Sequence, residues 1–227
     1  MKRAKVIVHM YTSIDGKIDG NHGSGISGAY YSDVLYEMSN AVGNGRTTMQ
    51  LVTSPEPLDL TPFQGSQIEK KSWLPDIKSD TWSVSFDRKG QVNWPTSYFE
   101  YNGHKMQAIE ILTKQVKPEY LAFLQSMKIP YIISGETDYE FEEVLEILKS
   151  HFGIETLAVS GGAGINGAFL EKHLVDEISL VMSPVVNGDP NILSSFNTHG
   201  MIINDQFGIK SLKKLPDGGV HLIFAKK

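Results

Sequence analysis

The sequence predicts a three-layer α/β fold, with a mainly parallel sheet, helices on both faces and a C-terminal antiparallel hairpin. Three observations carry that reading. Strand-like apolar runs alternate with helix-like runs along most of the 227 residues, the order that a parallel sheet with crossover helices needs. Residues 156–184 contain a complete strand–glycine turn–helix–strand unit. Residues 206–227 hold two strand-like runs around Pro216-Asp217-Gly218-Gly219, which is hairpin turn chemistry.

The elements follow in order. Val6-Ile7-Val8-His9-Met10-Tyr11 is an apolar first strand, and a polar, glycine-rich loop follows to Gly28. Residues 31–41 place Val34, Leu35, Met38 and Val42 at helical spacing, with Asp33 and Glu37 on another face. Asn44-Gly45-Arg46-Thr47-Thr48 breaks that pattern, and residues 53–80, rich in Pro, Ser and Asp, read as an irregular excursion. Strands are expected at 81–86, 106–112 and 129–133, and a helix led by Pro118 through Met127. The strongest helix covers 139–152, where Phe141, Val144, Leu145, Leu148 and Phe152 form one apolar stripe. Strand 156–159, a helix carrying Ala168, Phe169 and Leu170, and strand 178–182 make up the glycine-turn unit. With no internal repeat and no linker, residues 1–227 are expected to form a single domain.

Composition narrows the function classes. The chain has no cysteine, which removes disulfides, thiolate metal sites and cysteine nucleophiles. Its seven histidines show no metal-ligand spacing, so no metal is expected. Net charge is -5 with the signs interspersed, so no basic face marks a nucleic-acid partner. No run reaches the roughly 18–20 apolar residues of a membrane span, and the first residues lack a signal-peptide pattern. A cytoplasmic protein with a small-molecule ligand is the expectation.

Three motifs carry chemistry. The first is the turn Ser160-Gly161-Gly162-Ala163-Gly164-Ile165-Asn166-Gly167. Missing Cβ atoms admit a phosphate, and the following helix start offers unpaired N–H groups. The spacing fits G-x-G-x-x-G, but a dinucleotide-binding Rossmann domain opens with this turn and keeps an acid about 20 residues on. Here the turn comes late, Met182-Ser183-Pro184 stands at the end of the next strand, and a hairpin closes the chain. The second motif, Thr12-Ser13-Ile14-Asp15-Gly16-Lys17-Ile18-Asp19, lies at the C-terminal end of the first strand, where α/β sheets place ligands. The third is Gly45-Arg46-Thr47-Thr48, in which amides, a guanidinium and hydroxyls suit a pyrophosphate.

Together the motifs resemble the dihydrofolate-reductase-like superfamily, and within it the C-terminal reductase domain of the riboflavin-biosynthesis deaminase–reductase and its stand-alone relatives. The resemblance rests on Ser13-Ile14-Asp15-Gly16-Lys17-Ile18, on Gly45-Arg46-Thr47-Thr48, and most specifically on Gly161-Gly162, Phe169-Leu170, Leu174-Val175-Asp176-Glu177 and Pro184. It implies NADPH-dependent reduction of a pyrimidine such as 5-amino-6-(5-phosphoribosylamino)uracil. It further implies that Asp15 and Lys17 orient the sugar and assist protonation. Gly45, Arg46, Thr47, Thr48, Ser160, Gly161, Gly162, Gly164 and Ile165 are expected to hold the cofactor. Ser134 and Gly135 would border its adenosine half, and Arg88 or Lys89 would neutralise a 2′-phosphate. Ser27 matches a region that holds substrate phosphate in that family, and relatives form homodimers.

The chain departs from the family pattern at Ser160, where many members carry Glu before the glycine pair. A hydroxyl cannot act as a carboxylic acid, so this departure puts the substrate in question. Asp33 and Glu37 motivate an alternative, dihydrofolate or pterin reduction, since dihydrofolate reductases bind the pteridine through a carboxylate on the first helix. A non-catalytic nucleotide-binding protein is the further alternative.

Overall fold

The computed structural model describes residues 2–23, 25–54 and 56–227; parts of the two polar loops expected around residues 24 and 55 lie outside them. The chain organises as two compact units. The first comprises Met1–Ala4 and Asn40–Glu155, the second Lys5–Ser39 and Thr156–Lys227.

The first unit contains β2 (Ala41–Gly45), α2 (Arg46–Thr53), β3 (Trp82–Phe86), β4 (Tyr98–Tyr101), β5 (His104–Leu112), α3 (Pro118–Ser126), β6 (Tyr131–Ile133) and α4 (Phe141–Phe152). Here β2, β3, β5 and β6 pair in parallel, while β4 runs antiparallel to the start of β5. Alternating side chains send the two faces of β3 into different environments. Trp82 and Phe86 meet Phe152 and Phe141 of α4 edge-on or tilted. Burying that α4 stripe contributes roughly 1.5–3 kcal/mol per large side chain, and Gly153, in the left-handed conformation at φ 68°, terminates the helix. The other face is covered by Tyr120, Leu121 and Leu124 of α3 and by Met49 of α2. One face therefore packs on α4 and the other on α3, which is the three-layer arrangement expected.

The second unit contains β1 (Lys5–Thr12), α1 (Gly25–Met38), β7 (Thr156–Val159), α5 (Ala163–Glu171), β8 (Glu177–Met182), β9 (Phe207–Lys214) and β10 (Val220–Lys226). β1 pairs in parallel with β7 and β8. β10 then adds antiparallel to β8, and β9 to β10. The hairpin is thus present at the expected place. The turn before α5 is anchored by Asn197, whose N–H donates to the Ala163 carbonyl. The same strap passes over Gly167, where any Cβ would collide with the Asn197 carbonyl.

Four departures from the sequence reading have physical causes. The first helix starts at Gly25, about one and a half turns earlier than expected. Its glycine-containing start is supported from outside, by the Asp217 carboxylate on Ser27. β2, a buried Ala-Val-Gly-Asn-Gly run, has no periodic signature and is held by pairing with β3. β4 and the first four residues of β5 form a hairpin around Asn102-Gly103, both at positive φ. Residues 56–80, which include a 3-10 turn at Thr61–Phe63, lay Leu58, Leu60, Phe63, Ile68 and Trp73 against the core. Trp73 exchanges both backbone hydrogen bonds with Tyr131.

The core of the first unit also buries an acid. Glu110 is fully buried; it accepts from Trp94 Nε1 at 3.2 Å, and its carboxyl lies 2.9 Å from the Tyr120 hydroxyl, which also bonds the Val92 carbonyl at 2.9 Å. Burial, reinforced by the neighbouring Asp87, pushes its carboxyl well above the ordinary range. A raised folded value means the native state keeps a proton that the unfolded chain loses above its ordinary pKa. This group's contribution is therefore complete in acid and declines as pH rises. Glu110→Gln, which mimics the neutral acid, is expected to be more stable than the wild type at pH 8 by about 1–3 kcal/mol and level with it near pH 4.5. Urea unfolding at the two pH values measures this; equal offsets at both would show an ionised Glu110.

Candidate cofactor and substrate site

Parallel pairing of β1, β7 and β8 sends the chain out of all three strands at one edge of the second unit. Three segments meet this geometry: the Asp15 turn, the glycine turn and the loop after β8. The first and third are tied together. Ile14 N–H donates to the Val185 carbonyl at 2.8 Å and Ile18 N–H to Leu193 at 3.2 Å. The Lys17 ammonium donates to the Ile192 carbonyl at 2.7 Å, and Lys17 forms a β-bridge with Ser194.

Asp15 is the clamp of this loop pair. It accepts from the Ser13 hydroxyl at 2.6 Å and from the Asn187 and Gly188 N–H groups, each at 2.9 Å. The Ser13 hydroxyl, and after it those two amides, hold its carboxyl far below the usual carboxylate range. Asp15 is consequently an anion at any physiological pH and has no proton to give. Of the two roles expected for it, only orientation is compatible with this setting. Asn187 and Gly188, its partners, lie more than 170 positions away, and nothing local in the sequence points to them.

The glycine turn presents α5. Gly162 is the N-cap residue, at an extended φ of −76°, and no side chain caps the first amides of the helix among the described residues. The positions of Gly161 and Gly164 differ. Gly161 has φ 116°, which excludes most side chains, whereas a Cβ at Gly164 would meet open space. Ser160 is half-buried, and its hydroxyl bonds to the Tyr31 hydroxyl of α1.

Tyr31 is positioned by a polar chain that sequence reasoning missed. Its ring stacks on the His9 imidazole, with centroids 4.5 Å apart and planes 9° from parallel. Its carbonyl accepts from His9 Nε2 at 3.0 Å. A carbonyl only accepts, so His9 carries its hydrogen on Nε2 and must accept at Nδ1. The Ser179 hydroxyl therefore donates to His9 at 2.9 Å and accepts from His221 Nε2 at 2.7 Å. His221 Nδ1 in turn accepts from the Tyr30 hydroxyl at 3.1 Å. Every direction follows from one carbonyl. His9 is thus a structural histidine with both ring nitrogens satisfied.

The remaining expected substrate residues are placed differently. Ser27 is fully buried, and both its N–H and its hydroxyl donate to Asp217, at 3.1 and 2.7 Å. The start of α1 thus already holds an anion from the hairpin turn. Asp33 and Glu37 are exposed on α1.

The first unit offers a second helix start with glycine at the N-cap. β2 runs directly into α2, with Gly45 as the N-cap residue and no capping side chain among the described residues. Arg46 follows and donates to Gln50 at 2.6 Å, while Thr47 is exposed and Thr48 half-buried. Arg88 donates through Nε and Nη2 to Asp138 at 2.9 and 2.6 Å and lies over the Tyr139 ring. Ser134 is buried and bonded to the Glu143 carboxylate, and Gly135 has φ 76° where a Cβ would strike the Asp138 carbonyl. Those two residues shape a turn, and the Ser134 hydroxyl points inward. No group of three or more His, Cys, Asp or Glu able to hold a metal occurs among the described residues. No described helix is long and apolar enough to cross a membrane.

Burial lowers His9 to about 4, with the His221 charge acting in the same direction and the Tyr31 carbonyl opposing it. A depressed histidine contributes stability above its unfolded value, and that contribution is lost as pH falls from about 6.5 to about 4. The whole effect is roughly 3 kcal/mol. His9→Gln, which keeps a donor for the Tyr31 carbonyl, should flatten the stability profile between pH 6.5 and 4.5. Guanidinium unfolding across that interval is the measurement, and an unchanged slope would refute the neutral-histidine assignment.

Comparison with known proteins agrees with this architecture. The RibD C-terminal domain family matches residues 4–216. A 2,5-diamino-6-ribosylamino-4(3H)-pyrimidinone 5′-phosphate reductase from Aquifex aeolicus is 31% identical over 101 residues, covering 44% of this chain and 45% of that one. Acinetobacter baumannii RibD superposes with TM-score 0.69 at 16% identity, over 100% of this chain and 59% of the other. The Thermotoga maritima diaminohydroxyphosphoribosylaminopyrimidine deaminase/5-amino-6-(5-phosphoribosylamino)uracil reductase gives 0.64 at 19%, over 100% and 57%. At such identities the two structures bear on the fold alone, and each of the three matches spans less than two-thirds of the relative's length. The match over nearly the whole length is the one that assigns the family, and this chain belongs to the RibD C-terminal domain family.

Proposed function

We propose that the chain is an NADPH-dependent reductase of the riboflavin-pathway type, working as one reductase domain on a ribosylamino-pyrimidine phosphate, first of all 5-amino-6-(5-phosphoribosylamino)uracil. One observation carries the reading. Each unit begins a helix directly behind a parallel strand, with glycine at the N-cap and no side chain over the first amides. Helix starts of this kind suit phosphate groups. The family assignment supports the same chemistry.

On this reading the α5 amides behind Gly161, Gly162 and Gly164 hold one phosphate. In the first unit, the α2 amides with Arg46, Thr47 and Thr48 form a phosphate-type helix start of the same kind. Arg88 is the cation for a 2′-phosphate, once Asp138 yields it. NADPH, when bound, supplies the hydride that reduces the sugar carbon at the glycosylamine. Opening the sugar ring also requires a proton on the ring oxygen. With Asp15 held as an anion, Lys17 is the residue to deliver it, and Asp15 keeps the 13–17 turn against the 185–194 loop so that the ammonium is aimed. The protein is cytoplasmic and works as a homodimer in this proposal.

Purified protein with NADPH and either the uracil substrate or dihydrofolate tests the assignment through oxidation of NADPH at 340 nm. Turnover of the pyrimidine alone is expected; tight NADPH binding with no oxidation by either compound would sink the enzyme reading. In Gly162→Val the φ of −76° remains one that L residues adopt, and circular dichroism reports whether the variant is folded. It should weaken NADPH binding about 10-fold or more by placing a side chain before the α5 amides. Lys17→Ala should instead lower kcat by roughly 100-fold with little change in NADPH affinity. Equal losses of both quantities in both variants would overturn the division of roles.

A further inference from the structure

β8 alternates in an inverted sense. Its buried residues are Glu177, Ser179 and Val181, whereas Ile178, Leu180 and Met182 are partly exposed. A strand with one face on a core normally turns its apolar residues inward and its polar ones out. The polar set has partners of its own. Ser179 joins the His9–His221 chain, Glu177 pairs with Lys5 and Lys210 at 2.7 and 2.6 Å, and Lys213 lies over the Tyr30 ring. The hairpin register carries the apolar set across two more strands. Phe224 and Leu222 of β10 stand opposite Ile178 and Leu180, and Ile209 and Leu212 of β9 stand opposite Phe224 and Leu222 in turn. Directly paired residues point to the same face, so these rows form one apolar surface, continued by the Met182–Val220 pair. It is most open on β9, the edge strand, where Ile209 is 66% and Leu212 63% exposed.

We infer that this face of β8, β10 and β9 is where a second copy of the chain docks, the two identical faces packing on each other about a two-fold axis. The inference rests on the homodimer reading and gives that dimer its surface. Three strands about 4.8 Å apart and six residues of about 3.4 Å rise span roughly 15 by 20 Å, or about 300 Å². That matches the apolar centre of a standard interface, which takes about 800 Å² from each partner with its polar rim included. Charge points the same way. Within the rows no side chain is charged; Lys214 opposite Val220 and Lys226 opposite Phe207 mark the two ends, and Lys226 is paired with Asp205. An acidic peptide, a nucleic acid or an anionic membrane finds no cation inside the patch to hold it. An identical face does match it, since a two-fold axis sets apolar rows against apolar rows. The contact also shields β9, whose exposed Ile209 and Leu212 otherwise make an aggregation-prone edge.

Sedimentation velocity and light scattering on the full chain test this, with charge placed at Ile209 and Leu212, which are open enough to carry it in a folded monomer. The wild type should run at twice the chain mass at micromolar concentration. The double variants Ile209→Glu/Leu212→Glu and Ile209→Lys/Leu212→Lys should each weaken the dimer about 100-fold or more, because like charges then meet in a desolvated contact. An equimolar mixture of the two should recover the dimer mass, which also shows that both are folded. Leu51→Glu, at an exposed position of α2 in the first unit, should leave the dimer intact. Leu212→Ser alone should weaken it about 10-fold, and this variant decides the matter if circular dichroism shows a charged one unfolded. A wild type still monomeric at about 100 μM sinks the homodimer reading and this inference with it. A dimer that persists in both charge variants overturns the inference alone, and so do folded charge variants that are monomeric and do not pair with each other.

Discussion

Parallel pairing of β1 with β7 and β8 is the constraint on which the second unit depends. Strands that run the same way deliver their C-terminal ends to one edge, and the chain has to leave from that edge each time. The polar turn after β1, the glycine turn after β7 and the loop after β8 become neighbours for this reason. Their contacts follow from it: the Asp15 clamp on Asn187 and Gly188, and the Lys17 bond to Ile192, join segments more than 170 residues apart in sequence. An antiparallel arrangement of these strands would scatter the same residues over two ends.

Parallel strands also need helical returns, and a helix that starts at the strand's exit leaves its first amides unpaired. The chain resolves this in two ways. At α1, Asp217 of the hairpin turn supplies a carboxylate to Ser27, so that helix start is satisfied internally. At α2 and α5 the N-cap residue is glycine and no side chain takes the amides among the described residues. The contrast is between a helix start that takes a carboxylate from the chain itself and two glycine starts that do not.

The legible parts of the sequence were those with local causes. The α4 stripe, strands β1, β3, β7 and β8, and the terminal hairpin all announce themselves through periodicity or turn chemistry. The Asp15, Gly45 and Gly161 turns do so through residues that tolerate unusual backbone or bring polar groups to a strand end. β2 was not legible, because Ala-Val-Gly-Asn-Gly takes its strand conformation from β3 and not from its own propensity. Nor was the early start of α1, which rests on Asp217, 190 positions away from Ser27. Tyr31 escaped notice for the same reason. An aromatic residue in a helix reads as core, and only its partners at His9 and Ser160 give it another meaning.

Each unit buries a polar chain where an apolar core would have been simpler. In the first, Glu110 joins Trp94 and Tyr120; in the second, His9, Ser179, His221 and Tyr30 run in a direction fixed by one carbonyl. A satisfied buried hydrogen bond adds only about 1 kcal/mol, whereas a stranded partner costs about 1–3 kcal/mol. Such chains therefore penalise wrong arrangements more than they reward the right one. Apolar packing alone would let α1 rotate or slide on its strands at modest cost. The His9 chain admits one position of Tyr30 and Tyr31, and through Tyr31 one setting of Ser160. The specificity of the buried network is thus carried outward to the start of the glycine turn, where the Ser160 hydroxyl meets that of Tyr31.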